Sequence, residues 1–148
     1  MRKFVIAAGL ACAMVALPIT TTAGAASPAR FKGKGAGTLT LSGNSFTIDG
    51  TVKVARVGAV AFHSEGTTNG AGSVAFSTTF TAPNGDTVTT SSTGTARHTM
   101  IGRIYITRDT VTGGTGRFAT ATGAGRTAAK ANTATGTVKF VLAGHITY

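Results

Sequence analysis

The stretch VTGGTGRFATATGAG, which runs from Val111 to Gly125, places glycines on both sides of one phenylalanine. Within it, Gly114–Ala119 matches the G-x-G-x-x-A pattern of a dinucleotide-binding loop. That loop needs a helix that begins inside the motif and an acidic residue about 20 positions later. Further glycines interrupt the segment after the motif, and no Asp or Glu follows Asp109. A P-loop is also excluded, because Arg117 stands where lysine is required. The sequence therefore predicts no phosphate site here.

The same residues are predicted to form a tight structural turn instead. Paired glycines adopt positive φ without the steric clash of a Cβ atom. They would turn the chain sharply after Thr112, place Phe118 in the core as the first anchor of the next strand, and leave Arg117 pointing outward. The residues of this predicted turn motif are Gly113, Gly114, Gly116, Phe118 and Gly123.

Short runs of alternating apolar and polar residues recur along the chain. Threonine is frequent in them, and its β-branched side chain suits a pleated strand. No window has the spacing of an amphipathic helix. Breaks between the runs are predicted at Ser42–Asn44, Asp49–Gly50, Thr68–Gly70, Pro83–Asp86 and Gly113–Gly114. Seven to nine short strands at near-regular spacing predict an all-β barrel or sandwich.

The string GGTGRFATATG at Gly113–Gly123 resembles a motif of the allene oxide cyclase/dirigent-like β-barrel superfamily, which includes secreted bacterial members. Weaker similarity extends to Gly35–Leu41, Asn84–Val88 and Gly144–Tyr148. The resemblance implies an antiparallel barrel of about eight strands with a mostly apolar interior. Plant members bind hydrophobic metabolites; one branch assists cyclisation of an epoxide and another steers coupling of phenoxy radicals. Those activities depend on polar groups in the cavity that match no residue here, so only the fold carries over.

The chain has 148 residues, enough for one domain behind an N-terminal leader. Phe4–Leu17 is an apolar run of signal-peptide length, too short to span a membrane, and small residues follow it. We predict a signal peptide at residues 1–25, cleaved near Ala25 or Ala26, a basic N-terminal arm at residues 26–36 and a β-barrel domain at residues 37–148. The protein is therefore predicted to be secreted.

The predicted mature chain is strongly basic. Removing Arg2 and Lys3 with the leader leaves twelve of the fourteen Lys and Arg residues against four acids, a net charge of +8. Such a charge favours an anionic cell-wall polymer or membrane surface as partner. Secretion makes nucleic acid the least favoured anionic partner, and none is predicted. Arg30, Lys32 and Lys34 cluster in the predicted arm, whereas the other basic residues are scattered along the sequence.

Four side chains are candidates for ligand binding. His63 and Glu65 alternate and can share a strand face, where an imidazole beside a carboxylate supports acid–base chemistry or a metal site. The alternative is a solvated pair near a turn. Arg103 and Tyr105 share a face opposite Ile104, and they either line a cavity mouth or form a cross-strand surface pair. The spacing supplies no third ligand for a metal, and no cofactor is predicted.

Three functions remain open. The first is a non-catalytic barrel that binds a small apolar ligand or has a structural role at the cell surface; phenylalanines inside would fill the space a ligand needs. The second is a cyclase- or dirigent-type enzyme, which requires a polar group in an open lumen, with Glu65, Asp49 or His63 as candidates. The third is electrostatic adhesion to an anionic surface, which requires the basic residues to gather on one face. No catalytic residue is assigned.

Overall fold

Consecutive antiparallel hairpins run around the whole barrel in the computed structural model, which describes residues 27–69, 71–100 and 102–148. The strands are β1 (Ala29–Ser42), β2 (Ser45–Val54), β3 (Gly58–Thr68), β4 (Ser73–Thr81), β5 (Thr87–Thr99), β6 (Gly102–Gly114), β7 (Thr122–Asn132) and β8 (Thr137–Thr147). Each strand pairs with the next, and β8 pairs with β1, so the sheet closes on itself. The predicted antiparallel barrel of about eight strands is confirmed. The predicted signal peptide lies outside the described residues.

The first strand begins earlier than the sequence indicated. Residues 29–36 belong to β1 and pair with β8, with Arg30 opposite His145 and Lys34 opposite Val141. The prediction of a basic N-terminal arm at residues 26–36 is therefore wrong for most of its length. Its charged side chains alternate with inward-facing residues such as Gly33, so they form part of the barrel wall.

Two of the predicted breaks are not turns between strands. Asp49–Gly50 lies inside β2, and Gly113–Gly114 forms the last two residues of β6. The other three coincide with the β1–β2, β3–β4 and β4–β5 connections. No helix within the described ranges is long and apolar enough to cross a membrane.

Inward-facing apolar side chains form two packed clusters inside the barrel. One is built around Leu39, Phe46, Ala131 and Val138, and the other around Val52, Val60, Phe62 and Leu142. Ile48 and Phe140 pack against both. The two clusters therefore form a continuous core across the lumen.

Phenylalanine rings in this core pack onto glycines that face inward from neighbouring strands. A Cβ atom on Gly37 would lie 3.1 Å from Phe62 Cζ, and one on Gly50 would lie 2.9 Å from Phe62 Cε1. A Cβ atom on Gly35 would overlap the ring of Phe140. Glycine within a strand commonly marks such a close approach. Because these glycines have no side chains, they leave the space that the phenylalanine rings occupy.

Candidate functional site

The glycine-rich motif forms a short connection between β6 and β7. The strand does not turn after Thr112 but continues to Gly114, with an irregularity in the β5–β6 pairing where Gly113 has φ 135°. A single 3₁₀ turn at Gly116–Phe118 follows. Phe118 is half-buried beside Tyr148, with the ring centroids 4.8 Å apart, and does not begin β7. The predicted position of the turn and the predicted core role of Phe118 are therefore corrected.

The connection docks onto the start of β5. The Thr87 backbone N–H donates to Thr115 Oγ1 at 3.0 Å, and the Thr115 N–H donates to the Thr87 carbonyl oxygen at 3.0 Å. Arg117 Nε lies 3.5 Å from Asp86 Oδ2. A Cβ atom on Gly116 would overlap that carboxylate. The motif thus joins two loops at one end of the barrel, with a carboxylate where a phosphate-binding loop would have its anion.

His63 and Glu65 both face outward from β3, and the contact partner of His63 is an acid of the neighbouring strand. Its Nδ1 lies 2.6 Å from Oδ1 of Asp49 on β2. The side chains of His63 and Asp49 are 51% and 67% exposed, so the two residues form a solvated pair outside the lumen. Gly66, near which a turn was predicted, lies within β3. No group of three or more metal-ligating side chains occurs in the described parts of the chain.

The hydrogen bond to Asp49 raises the pKa of His63 above its ordinary value. Partial loss of hydration lowers the pKa of His63, whereas the negative charges of Asp49 and Glu65 raise this pKa further. We expect Asp49→Asn to lower the His63 pKa in an NMR titration, and Glu65→Gln to lower it less. Because the folded-state pKa is raised, the pair stabilises the fold below the unfolded-state pKa of histidine, and this contribution is lost as pH rises through the folded-state value. An unchanged His63 titration in Asp49→Asn would contradict the bond.

Strand β6 places several polar side chains on the inner wall. Tyr105 lies in the lumen against the core, and Arg103 faces the same way near the strand end. Asp109 follows on the same side and accepts hydrogen bonds from Thr107 Oγ1 at 2.9 Å and Thr127 Oγ1 at 2.7 Å. Sequence reasoning missed Asp109 as the inward carboxylate, because the alternation of β6 left open which of its two faces is buried. The buried Val111, on the same side of the strand, was the available signal.

The lumen beside Tyr105 contains a cavity of about 40 Å³, close to the space of a single water molecule. Its walls are mainly core residues such as Leu39, Phe46 and Phe76, and its polar edge consists of Tyr105, Thr107 and Thr127. The Asp109 carboxylate, the nearest titratable acid, is engaged by the two threonine hydroxyls. This cavity is too small for a metabolite unless the surrounding rings move.

Most of the basic residues face outward on six neighbouring strands of the eight-stranded barrel. We define the cationic face as the exposed Lys and Arg side chains on β1, on β6 to β8, and at the adjoining ends of β2 and β5: Arg30, Lys32, Lys34, Lys53, Arg97, Arg108, Arg126, Lys130 and Lys139. The opposite strands β3 and β4 contain neither Lys nor Arg. Within the part of the chain that the structure describes, no carboxylate lies within ion-pair distance of this face.

Like charges lie directly opposite one another at three points of the cationic face. Lys34 pairs with Lys53, Lys130 with Lys139, and Arg108 with Arg126. Directly opposed residues have Cβ atoms about 5 Å apart, and like charges in that position destabilise a sheet. The free protein therefore holds an unfavourable concentration of positive charge on one wall.

Family models, curated proteins and solved structures were compared with the chain, and none matched.

Proposed function

We propose that the protein is a secreted, non-catalytic barrel with a structural role at the cell surface, where its cationic face adheres to an anionic surface. The observation that carries this proposal is the set of three directly opposed like-charge pairs, which form no ion pair with a carboxylate of the described residues. Each such pair disfavours the free state by a few tenths of a kcal/mol, up to about 1 kcal/mol. An anionic partner offsets this repulsion, because each cation then also gains an attractive interaction with opposite charge.

Ligand binding and catalysis both require an open lumen, and the packing inside the barrel supports them less than it supports a structural role. The phenylalanine rings occupy the space that an apolar ligand would need, as Phe62 and Phe140 do over the glycines of β1 and β2. The proposed acids of an enzyme, Asp49 and Glu65, face outward, as does His63. Membership of the allene oxide cyclase/dirigent-like superfamily is part of this proposal and is supported by the sequence motif and the barrel architecture.

Removal of one opposed pair tests the adhesion. We expect Lys130→Gln/Lys139→Gln to bind immobilised polyphosphate about 10- to 30-fold more weakly than the unaltered chain, because each lysine near an anionic surface contributes about 1 kcal/mol. Binding of the unaltered chain should fall steeply as salt rises, since exposed charges are screened beyond about 10 Å at 0.1 M salt. The free energy of unfolding of the variant should be equal or slightly higher, because a repulsion has been removed.

A matched control lowers the net charge by the same two units on the opposite wall. Ala75→Glu/Thr81→Glu places two acids at exposed positions of β4, whose cross-strand neighbours are uncharged. The control should retain most of the polyphosphate binding. Equal losses in both variants would show that only net charge matters, and salt-insensitive binding by the unaltered chain would contradict adhesion through charge.

A further inference from the structure

We propose that the anionic surface is a lipid bilayer bearing acidic headgroups, and that Ile104, Ile106 and Val141 enter its interfacial region. This inference rests on the proposed adhesion and specifies its partner. The inference comes from aliphatic side chains that lie among the lysines of the cationic face. A partner that is only polyanionic would leave these aliphatic side chains in water.

The first part of strand β6, up to Ile106, is inverted with respect to the usual pattern of a barrel. Its isoleucines face outward, with Ile104 39% and Ile106 58% exposed, while Tyr105 and Asp109 face inward. Val141 on β8 also faces outward and is 48% exposed. Single exposed aliphatic residues are common on proteins, but clustered ones mark contact surfaces.

Ile104 and Ile106 are adjacent outward positions of β6, Val141 lies two strands away beyond Ala128, and lysines pair directly with Ile104 and Val141. Across the outer wall, one row of paired residues consists of Ile106, Ala128, Val141, Lys34 and Lys53. The next row consists of Ile104, Lys130, Lys139, Ala36 and Thr51. We call Ile104, Ile106, Val141 and the four lysines the lysine–aliphatic patch. Outward-facing positions of β3, β4 and β5 instead carry small or polar residues and no Val, Ile, Leu or Phe.

The patch has a shape and composition that fit an acidic lipid headgroup. Lys34, Lys53, Lys130 and Lys139 border a shallow depression of about 620 Å³ whose floor includes Ala36 and Val141. Lysine side chains can lie along an apolar surface with their methylene groups while the ammonium reaches a phosphate. Basic residues around aliphatic ones are the composition that holds a protein in the plane of an anionic membrane surface.

The test separates charge from apolar insertion by comparing two probes. The first probe is vesicles of equal parts phosphatidylglycerol and phosphatidylcholine, and the second is inorganic polyphosphate. We expect Ile104→Thr/Ile106→Thr/Val141→Thr in the full chain to bind the vesicles about tenfold more weakly or worse, because less apolar surface leaves water. Its polyphosphate binding should stay within about twofold, which also shows that the variant is folded. Threonine keeps the β-branched shape at these exposed positions.

Ser73→Thr/Ala75→Thr/Ser91→Thr, at exposed positions of β4 and β5 that pair with none of the four lysines, is the matched control and should bind both probes as the unaltered chain does. All variants share residues 1–26, so differences between them report on the barrel. Vesicle binding that survives the triple change on the patch would overturn the inference, as would vesicle binding that falls equally with polyphosphate binding. If the unaltered chain binds polyphosphate but not the vesicles, the inference fails while the adhesion stands. If it binds neither, the proposed function itself fails.

Discussion

Replacing Phe62 with alanine is expected to destabilise the barrel by about 4 kcal/mol, because it empties the centre of the core. Phe62 is only 6% exposed, and its ring meets Phe140 edge-on at a centroid distance of 5.1 Å. The ring also covers Gly37 and Gly50, which have no side chains to fill the resulting space. Small domains have total stabilities of about 5–15 kcal/mol, so this variant should unfold at much lower urea concentration.

Phe118→Ala provides the comparison for this change. Phe118 is a half-buried ring outside the two core clusters, in the connection between β6 and β7, and it contacts Tyr148. Its replacement should cost less than half as much in the free energy of unfolding. Equal losses for Phe62→Ala and Phe118→Ala in urea titrations would contradict the central position of Phe62.

The second large effect is expected from the smallest possible substitution, Gly50→Ala, at about 3 kcal/mol. A Cβ atom at this position would overlap the carbonyl oxygen of Ala36 and lie 2.6 Å from the Cα atom of Gly37. Both are backbone atoms of the paired strand β1, which cannot rotate away as a side chain can. The added methyl group should therefore force β1 and β2 apart at this point.

Gly85→Ala is the control, because this substitution destabilises the fold through backbone conformation and not through a steric clash. Gly85 lies in the β4–β5 connection with φ 87°, and an added Cβ atom would find open space there. Its cost comes from backbone conformation alone, about 1 kcal/mol. Thermal or urea unfolding of both variants measures the difference. The close packing of β1 and β2 would be disproved by a Gly50→Ala variant that is as stable as Gly85→Ala.

The contrast between these glycines explains which parts of the fold the sequence could predict. Alternation and turn residues were sufficient for the all-β class and an approximate strand number, because those signals are local, whereas the choice of a barrel over a sandwich came from the family resemblance. The Asp49–Gly50 pair was taken for a turn because glycine serves both turns and close contacts. Only the position of Phe62, on the next strand, distinguishes the two roles, and that position is a tertiary fact.

The candidate surface was harder to predict than the fold. The basic residues near the N-terminus could not be placed on a wall until their pairing with β8 was known. In β6, the alternation left open which face is buried, and the two isoleucines face outward in the structure. Hydrophobic pattern alone cannot reveal such an inversion, since a shift by one residue exchanges the two faces of a strand. Exposed isoleucines opposite inward-facing polar side chains are the kind of exception that indicates a contact surface.

The pairing of β1 with β8 also determines at which stage of folding the lysine–aliphatic patch is assembled. Seven of the eight strand contacts join neighbours along the chain, whereas the eighth joins residues more than a hundred positions apart, such as Lys34 and Val141. Distant pairings form late because a long loop must be closed first. The lysine–aliphatic patch crosses this junction, so a nascent or truncated chain lacks it. Attachment to a surface would then be possible only for molecules that have finished folding.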